Sequence, residues 1–220
     1  MLQSYLQDTW VSPSRASEPP TDVRDAVTGD VICQVSTAGL DLASAFRHAR
    51  HVGRPGLREL TFHQRADLLA AFAATVRGRR DHLYHLSAKA RATLTDARFD
   101  VDGGIRVLRD YASRARTELP DATFLTEGPA ERLSRGEQFL GLHVCTPSRG
   151  VVLQVNAFNF PVWAPLEKLA KAMLAGMPSI IKPATPTAYI TKHLVRILAQ
   201  TDALPPGVVQ MVAGSCSPGP

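Results

Sequence analysis

Three short runs in the last third of the chain, Val151–Val155, Ser179–Ile181 and Val208–Val212, are rich in β-branched residues and carry no charge. They lack the apolar–polar alternation of a strand with one wet face, so they predict strands buried on both faces. Between them lie stretches of helical length, about 162–175 and 187–201, closed by Gly176 and by Pro205–Gly207. Parallel neighbours cannot be joined by a tight turn, and crossovers of this length are what right-handed β-α-β units require. The expected class is therefore α/β: residues 150–220 form the β-α-β-α-β start of a doubly wound, Rossmann-like parallel sheet.

Residues 1–149 read differently. Helical spacing prevails from Leu40 to about Leu119. Leu42, Ala45, Phe46 and Ala49 form one stripe after Asp41, a candidate N-cap, and Leu68, Leu69, Phe72, Ala73 and Val76 form a second between Thr61 and Gly78. Residues 81–94 and about 102–117 continue the pattern, the latter with Ile105, Leu108 and Tyr111. Pro120–Arg149 holds the turn residues Gly128, Pro129 and Gly136 and the alternating run Phe139–Cys145, which predicts a loop and then extended arm strands. The first 149 residues are thus expected to be a helical layer with an arm.

Charge and cysteines exclude several classes. The net charge of +5 suggests nucleic acid only until it is mapped: 20 of the 25 cations are arginines, interleaved with carboxylates along the chain. Aromatic residues make up 6%, too few for a base-stacking platform, so no nucleic-acid partner is expected. No apolar run is long enough to cross a bilayer, and Met1 to Trp10 lacks the pattern of a signal peptide. Cys33, Cys145 and Cys216 have no metal or disulfide spacing, which fits a reducing cytoplasm. Histidines occur as i, i+3 pairs, His48 with His51 and His82 with His85, without carboxylates on the same face; surface histidines and no metal site are expected.

Open parallel sheets bind ligands at the carboxyl ends of their strands. Asn156-Ala157-Phe158-Asn159-Phe160-Pro161 follows the first strand, and Lys182-Pro183-Ala184-Thr185 follows the second. The glycine fingerprint GxGxxG is missing after Val155, and Gly214–Gly219 lacks the Lys-Ser/Thr that would complete a phosphate loop. An acidic residue after the second strand would hold the ribose 2′-hydroxyl of NAD and repel a 2′-phosphate. Here Lys182 and Thr185 stand instead, with no carboxylate from Met177 to Gln200, so the electrostatics favour NADP, with NAD the alternative. An ordinary solvated strand-end lysine accounts for Lys182 equally well on spacing alone.

The run from Gly150 to Trp163 with Asn156–Pro161, then Glu167-Lys168-Leu169-Ala170, Leu174–Pro183 and Pro206-Gly207-Val208-Val209, resembles the cofactor half of the aldehyde dehydrogenase superfamily. A longer match, including Leu2–Trp10, Asp25–Gly29, Leu60–Arg65, Asp102–Ile105, Tyr111–Ser113 and Glu118–Asp121, is similar to the PaaZ family, bifunctional ring-opening and semialdehyde-oxidising proteins of phenylacetate degradation. The 3,4-dehydroadipyl-CoA semialdehyde dehydrogenases of benzoate degradation are the near alternative.

The resemblance implies NADP-dependent oxidation of a CoA-linked semialdehyde, with homo-oligomers in which the arm pairs with other strands. It implies that the Asn159 amide holds an oxyanion and that Lys168 lies near the nicotinamide, with a proton relay as a further role. Val155, Asn156, Ala157 and Phe158 would line the cofactor, and Lys182, Ala184 and Thr185 would meet the adenosine ribose. Asn156 and Ala157 depart from the usual family residues. In the family the nucleophilic cysteine and the general-base glutamate stand beyond the position of Pro220. The expectation is an N-terminal, catalytically incomplete part of an enzyme, with a non-catalytic association module as the alternative. An unfinished parallel sheet would then expose an apolar edge.

Overall fold

The computed structural model describes residues 1–14, 19–136, 138–147 and 149–215. In chain order the elements are β1 (Ser4–Leu6), β2 (Thr9–Val11), β3 (Thr21–Arg24), β4 (Val31–Val35), α1 (Leu42–His48), α2 (Arg54–Glu59), α3 (Phe62–Gly78), α4 (Arg80–Ala88), α5 (Leu94–Glu118), β5 (Leu125–Arg132), β6 (Leu140–Cys145), β7 (Val152–Val155), α6 (Trp163–Leu174), β8 (Ser179–Lys182), α7 (Ala188–Ala199) and β9 (Val209–Met211). A π-helical turn, Ala49–Gly53, joins α1 to α2, and a 3-10 turn, Thr185–Thr187, leads into α7.

The expected β-α-β-α-β unit is present. β7, β8 and β9 pair in parallel, with Val155 opposite Lys182 and Ile181 opposite Met211. α6 ends in a glycine turn: Gly176 has φ +70°, and the N–H groups of Gly176 and Met177 return to Met173 and Ala172.

The sheet continues past β9. β1 pairs antiparallel with β9, Tyr5 opposite Met211, and β2 pairs with β1, giving the order β2-β1-β9-β8-β7. The hairpin turn uses Gln7 and Asp8 at φ 50° and 61°. Its strain is held by the Asp8 carboxylate, which accepts from Gly207 N at 2.9 Å and contacts His48 Nε2 at 2.7 Å. Among the described residues the sheet ends at β2 on one side and, on the other, at β7, which is the expected edge of the parallel part. There Leu153 and Val155 are 65% and 67% exposed, so β7 is not buried on both faces as its sequence predicted. β8 and β9 are buried as expected.

Helix ends follow their caps. Thr61 with Gln64 forms a capping box at α3, Asp41 accepts from Ser44 N at α1, and Thr93 with Asp96 forms a second box at α5. That second box corrects the reading of 81–94 as one helix: α4 stops at Ala88, the chain turns through Arg91 at φ 64°, and α5 begins at Leu94, well before residue 102. Gly103 and Gly104 sit inside α5, where helix propensity alone would disfavour them. A Cβ on Gly103 would lie 2.2 Å from the Trp163 ring, so the glycine is what lets α6 approach. In the first stripe Ala45 and Ala49 are buried, whereas Leu42 and Phe46 face solvent. The arm is a hairpin of β5 and β6; Gly128 and Pro129, read as turn residues, lie within β5 at a register shift between Glu127 and Glu131.

One core joins both sides of position 150. Leu69, Phe72 and Val76 of α3, and Val101 and Leu108 of α5, belong to the same buried cluster as Leu166 and Met173 of α6, Leu194 of α7 and Ile181 and Met211 of the sheet. Arg65 of α3 is fully buried. His82 and His85 of α4 are exposed, and His82 Nε2 lies 3.2 Å from His193 Nδ1 of α7. Burial, with His82 and Arg196 nearby, depresses the His193 pKa to about 4. Among the described residues there is no group of three metal-ligating side chains and no helix long and apolar enough to cross a membrane.

Candidate active site at the strand tips

Parallel register sets the tips of β7 and β8 side by side, and Asn156 N donates to Lys182 O at 3.0 Å just past the last pair. Asn156 is buried, and its Oδ1 accepts from Lys168 Nζ at 2.6 Å, while the same ammonium donates to Val155 O at 3.0 Å. Lys168 therefore ties α6 to the tip of β7. Lys182, Ala184 and Thr185 are half-buried on the next tip; Lys182 Nζ donates to Pro183 O at 2.8 Å and Thr185 Oγ1 to Gly214 O at 3.2 Å. Val155, Ala157, Phe158 and Asn159 are exposed.

The loop between Asn156 and α6 is clamped through its backbone. Thr187 Oγ1 donates to Phe158 O at 3.2 Å, and Thr191 Oγ1 to Pro161 O at 2.8 Å. From the other side, the Asp100 carboxylate of α5 accepts from Trp163 N at 2.7 Å and Val162 N at 3.2 Å. α6 has no side-chain cap of its own at Val162, so a residue 62 positions away supplies the cap. With the backbone held at three points, the Asn159 amide makes no hydrogen bond among the described residues and borders a cavity of about 100 Å³ lined also by Asp100, Phe158 and Thr187. Beside it, Phe99 of α5, Phe160 and Trp163 form an aromatic cluster with ring centroids 5.3–6.2 Å apart.

The sequence reading brought out both tips and missed the clamp. Asp100 carried a signal: it interrupts the apolar stripe of Ala97, Val101, Ile105 and Leu108, and a carboxylate on a buried stripe needs donors. At 5% exposure its pKa is raised to about 6, chiefly by burial, against the opposing pull of the Trp163 and Val162 N–H groups. Because the native value lies above the usual carboxylate value, the native state holds the extra proton more tightly. The resulting stability is complete below about pH 4 and is lost as pH rises through about 6. Asp100→Asn should flatten that fall by on the order of 2 kcal/mol across pH 4–7 in denaturant titrations; parallel curves for the two proteins would show that Asp100 is not the group responsible.

Neither Cys33, in β4 with its thiol pushed up by burial, nor Cys145, exposed at the end of β6, stands on a strand-tip loop. Cys216 and the Pro218-Gly219-Pro220 run lie outside the described residues.

Comparison with known proteins matches the aldehyde dehydrogenase family over residues 10–218. A 3,4-dehydroadipyl-CoA semialdehyde dehydrogenase of Aromatoleum evansii is 38% identical over 214 residues, 97% of this chain and 41% of that protein. Among solved structures, a 3,6-anhydro-L-galactose dehydrogenase in complex with NAP superposes with a TM-score of 0.81 at 23% identity, covering 97% of this chain and 42% of that one. An E. coli NADP dependent enzyme gives 0.82 at 21% identity, covering 99% and 43%. These structural matches speak for the fold, and the chain spans about two-fifths of the length of these relatives.

Proposed function

The chain belongs to the aldehyde dehydrogenase family, and from that premise we propose that it carries the oxyanion-side and cofactor-side residues for NADP-linked oxidation of a CoA-linked semialdehyde to its acid. The observation that carries the reading is the clamped loop: its backbone is fixed on both sides while the Asn159 amide has no partner among the described residues, one strand away from Lys182. An amide N–H suits a developing oxyanion because it stabilises negative charge without giving up a proton. Lys168 acts through Asn156, fixing the tip that Val155, Asn156, Ala157 and Phe158 present as a cofactor wall.

The tip of β8 fits a dinucleotide bearing a 2′-phosphate. Lys182 brings an ammonium whose one hydrogen bond among the described residues is to a carbonyl, Thr185 brings a hydroxyl, and no carboxylate occurs from Met177 to Gln200 to oppose an anion. A bound NADP would supply the hydride acceptor for the carbon that is oxidised. Lys182, Ala184 and Thr185 hold the ribose end, and the Asn159 side steadies the oxygen. The thiolate and the general base of the family's chemistry are assigned to no described residue. The relative at 38% identity supports a semialdehyde of the 3,4-dehydroadipyl-CoA type in preference to the phenylacetate type implied by the resemblance to the PaaZ family. The exposed apolar side chains of the arm, Leu140, Leu142 and Val144, support a homo-oligomer.

The test is cofactor and substrate preference of the intact gene product. NADP should be used in preference to NAD, and Lys182→Glu should lower kcat/KM for NADP by roughly tenfold or more while changing that for NAD much less. Equal use of both cofactors, or a variant that loses both alike, would remove the assignment of Lys182.

A further inference from the structure

Away from the strand tips, a groove of about 550 Å³ runs along α5 where α3 meets α4, lined by Arg77, Arg80, Arg106 and Arg109 with Asp102 and Asp110. Its ion pairs are loose. Arg80 lies 4.0 Å from Asp102, and Arg106 lies 3.7 Å from Asp110. Arg77 and Arg109 make no ion pair among the described residues. Asp102 and Asp81, both 4.0 Å from Arg80, and Asp110 offset Arg80 and Arg106 and leave two guanidinium groups facing one groove, an arrangement that an anion with more than one phosphate would complete.

The groove and the candidate site both border α5. Phe99, Gly103, Arg106 and Asp110 follow one another at helical spacing along one face of α5. At one end Phe99 touches Phe160 and Trp163, and Gly103 lies against the Trp163 ring. At the other end stand the arginines, and from Gly103 to Arg109 the helix rises only about 9 Å. A ligand with a reacting group beside Asn159 and phosphates at its far end would lie along this face. A CoA thioester has that layout, with its acyl group at one end and its 3′-phosphate and pyrophosphate at the other, joined by the pantetheine arm.

We infer that the arginine groove binds the phosphates of the CoA-linked substrate, directing its acyl end past the aromatic cluster to Asn159. This assignment rests on the reading of the strand tips as an aldehyde-oxidising site. NADP also carries phosphates, so the test must tell the two sources apart.

Calorimetric titration of the full chain with CoA, pantetheine and NADP does so. CoA should bind saturably and weaken with rising salt, and pantetheine, which lacks the nucleotide phosphates, should bind at least tenfold more weakly. The double variant Arg77→Glu, Arg109→Glu should lose at least tenfold in CoA affinity and keep its affinity for NADP. Both side chains are exposed and make no ion pair among the described residues, so an unchanged thermal transition is expected, and Arg77→Ala with Arg109→Ala serves as a second variant of milder charge. Unchanged CoA binding in both variants, equal binding of pantetheine, or no saturable CoA binding to the native chain would overturn the assignment, and so would a parallel loss of NADP affinity. With the intact gene product, NADP-linked oxidation of a CoA-free semialdehyde that survives such a result removes the groove alone. Absence of any aldehyde oxidation removes the underlying reading.

Discussion

Arg65→Met should lower the unfolding free energy by about 3–5 kcal/mol, read as a shift in the denaturant midpoint at unchanged slope. Arg65 is fully buried on α3 and has no carboxylate partner among the described residues. Its Nε donates to Leu57 O at 2.8 Å and its Nη1 to Leu174 O at 2.9 Å, carbonyls near the carboxyl ends of α2 and α6. Those helix ends carry partial negative charge and take the place of a counter-ion. The Phe62 ring lies 5.2 Å from the guanidinium carbon. Burial lowers the pKa to about 10, which still leaves the group charged at neutral pH.

Replacing a buried ion pair by apolar side chains is often neutral, because both charged partners leave together. Here the substitution removes one side only. Methionine fills much of the volume but strands two buried carbonyls, each at a cost of about 1–3 kcal/mol. Lysine keeps the charge yet lacks the fork that spans two helix ends, so Arg65→Lys should fall between the native protein and Arg65→Met. A loss below about 1 kcal/mol for Arg65→Met would mean that both carbonyls find other donors.

The parallel unit was legible because its causes are local: uncharged β-branched runs, helix-length spacers and a glycine at the end of α6. The N-terminal hairpin was not. Three-residue strands carry too little pattern, and β1 is fixed by its pairing with β9 some 200 positions away and by Asp8 reaching Gly207. α5 was misjudged at its start because Gly103 and Gly104 weigh against a helix locally, while Trp163 favours them through packing. At the site, strand-tip position marked Asn159 and Lys182. The residues that fix the loop, Asp100, Thr187 and Thr191, come from separate helical turns, and only the fold brings them to one backbone segment.

In the intact gene product, Asn159→Ala should lower kcat by about 10²–10³-fold, or about 3–4 kcal/mol, the cost of losing one donor to a developing oxyanion. The loop itself should not move, because Asn159 is exposed, its amide makes no hydrogen bond among the described residues, and Asp100, Thr187 and Thr191 hold the backbone without it. Asn159→Asp has nearly the same shape but sets a negative charge against the oxyanion, so its loss should be larger still. Stability and NADP affinity separate this role from a structural one, since neither depends on a donor that acts only as charge develops. The direct measurement is therefore kcat of Asn159→Ala on a CoA-linked semialdehyde, taken with the NADP dissociation constant of the same protein. The account predicts a fall in kcat of at least a hundredfold with NADP binding unchanged within about twofold. Unchanged turnover, or a fall in turnover matched by an equal loss of NADP binding, would contradict it.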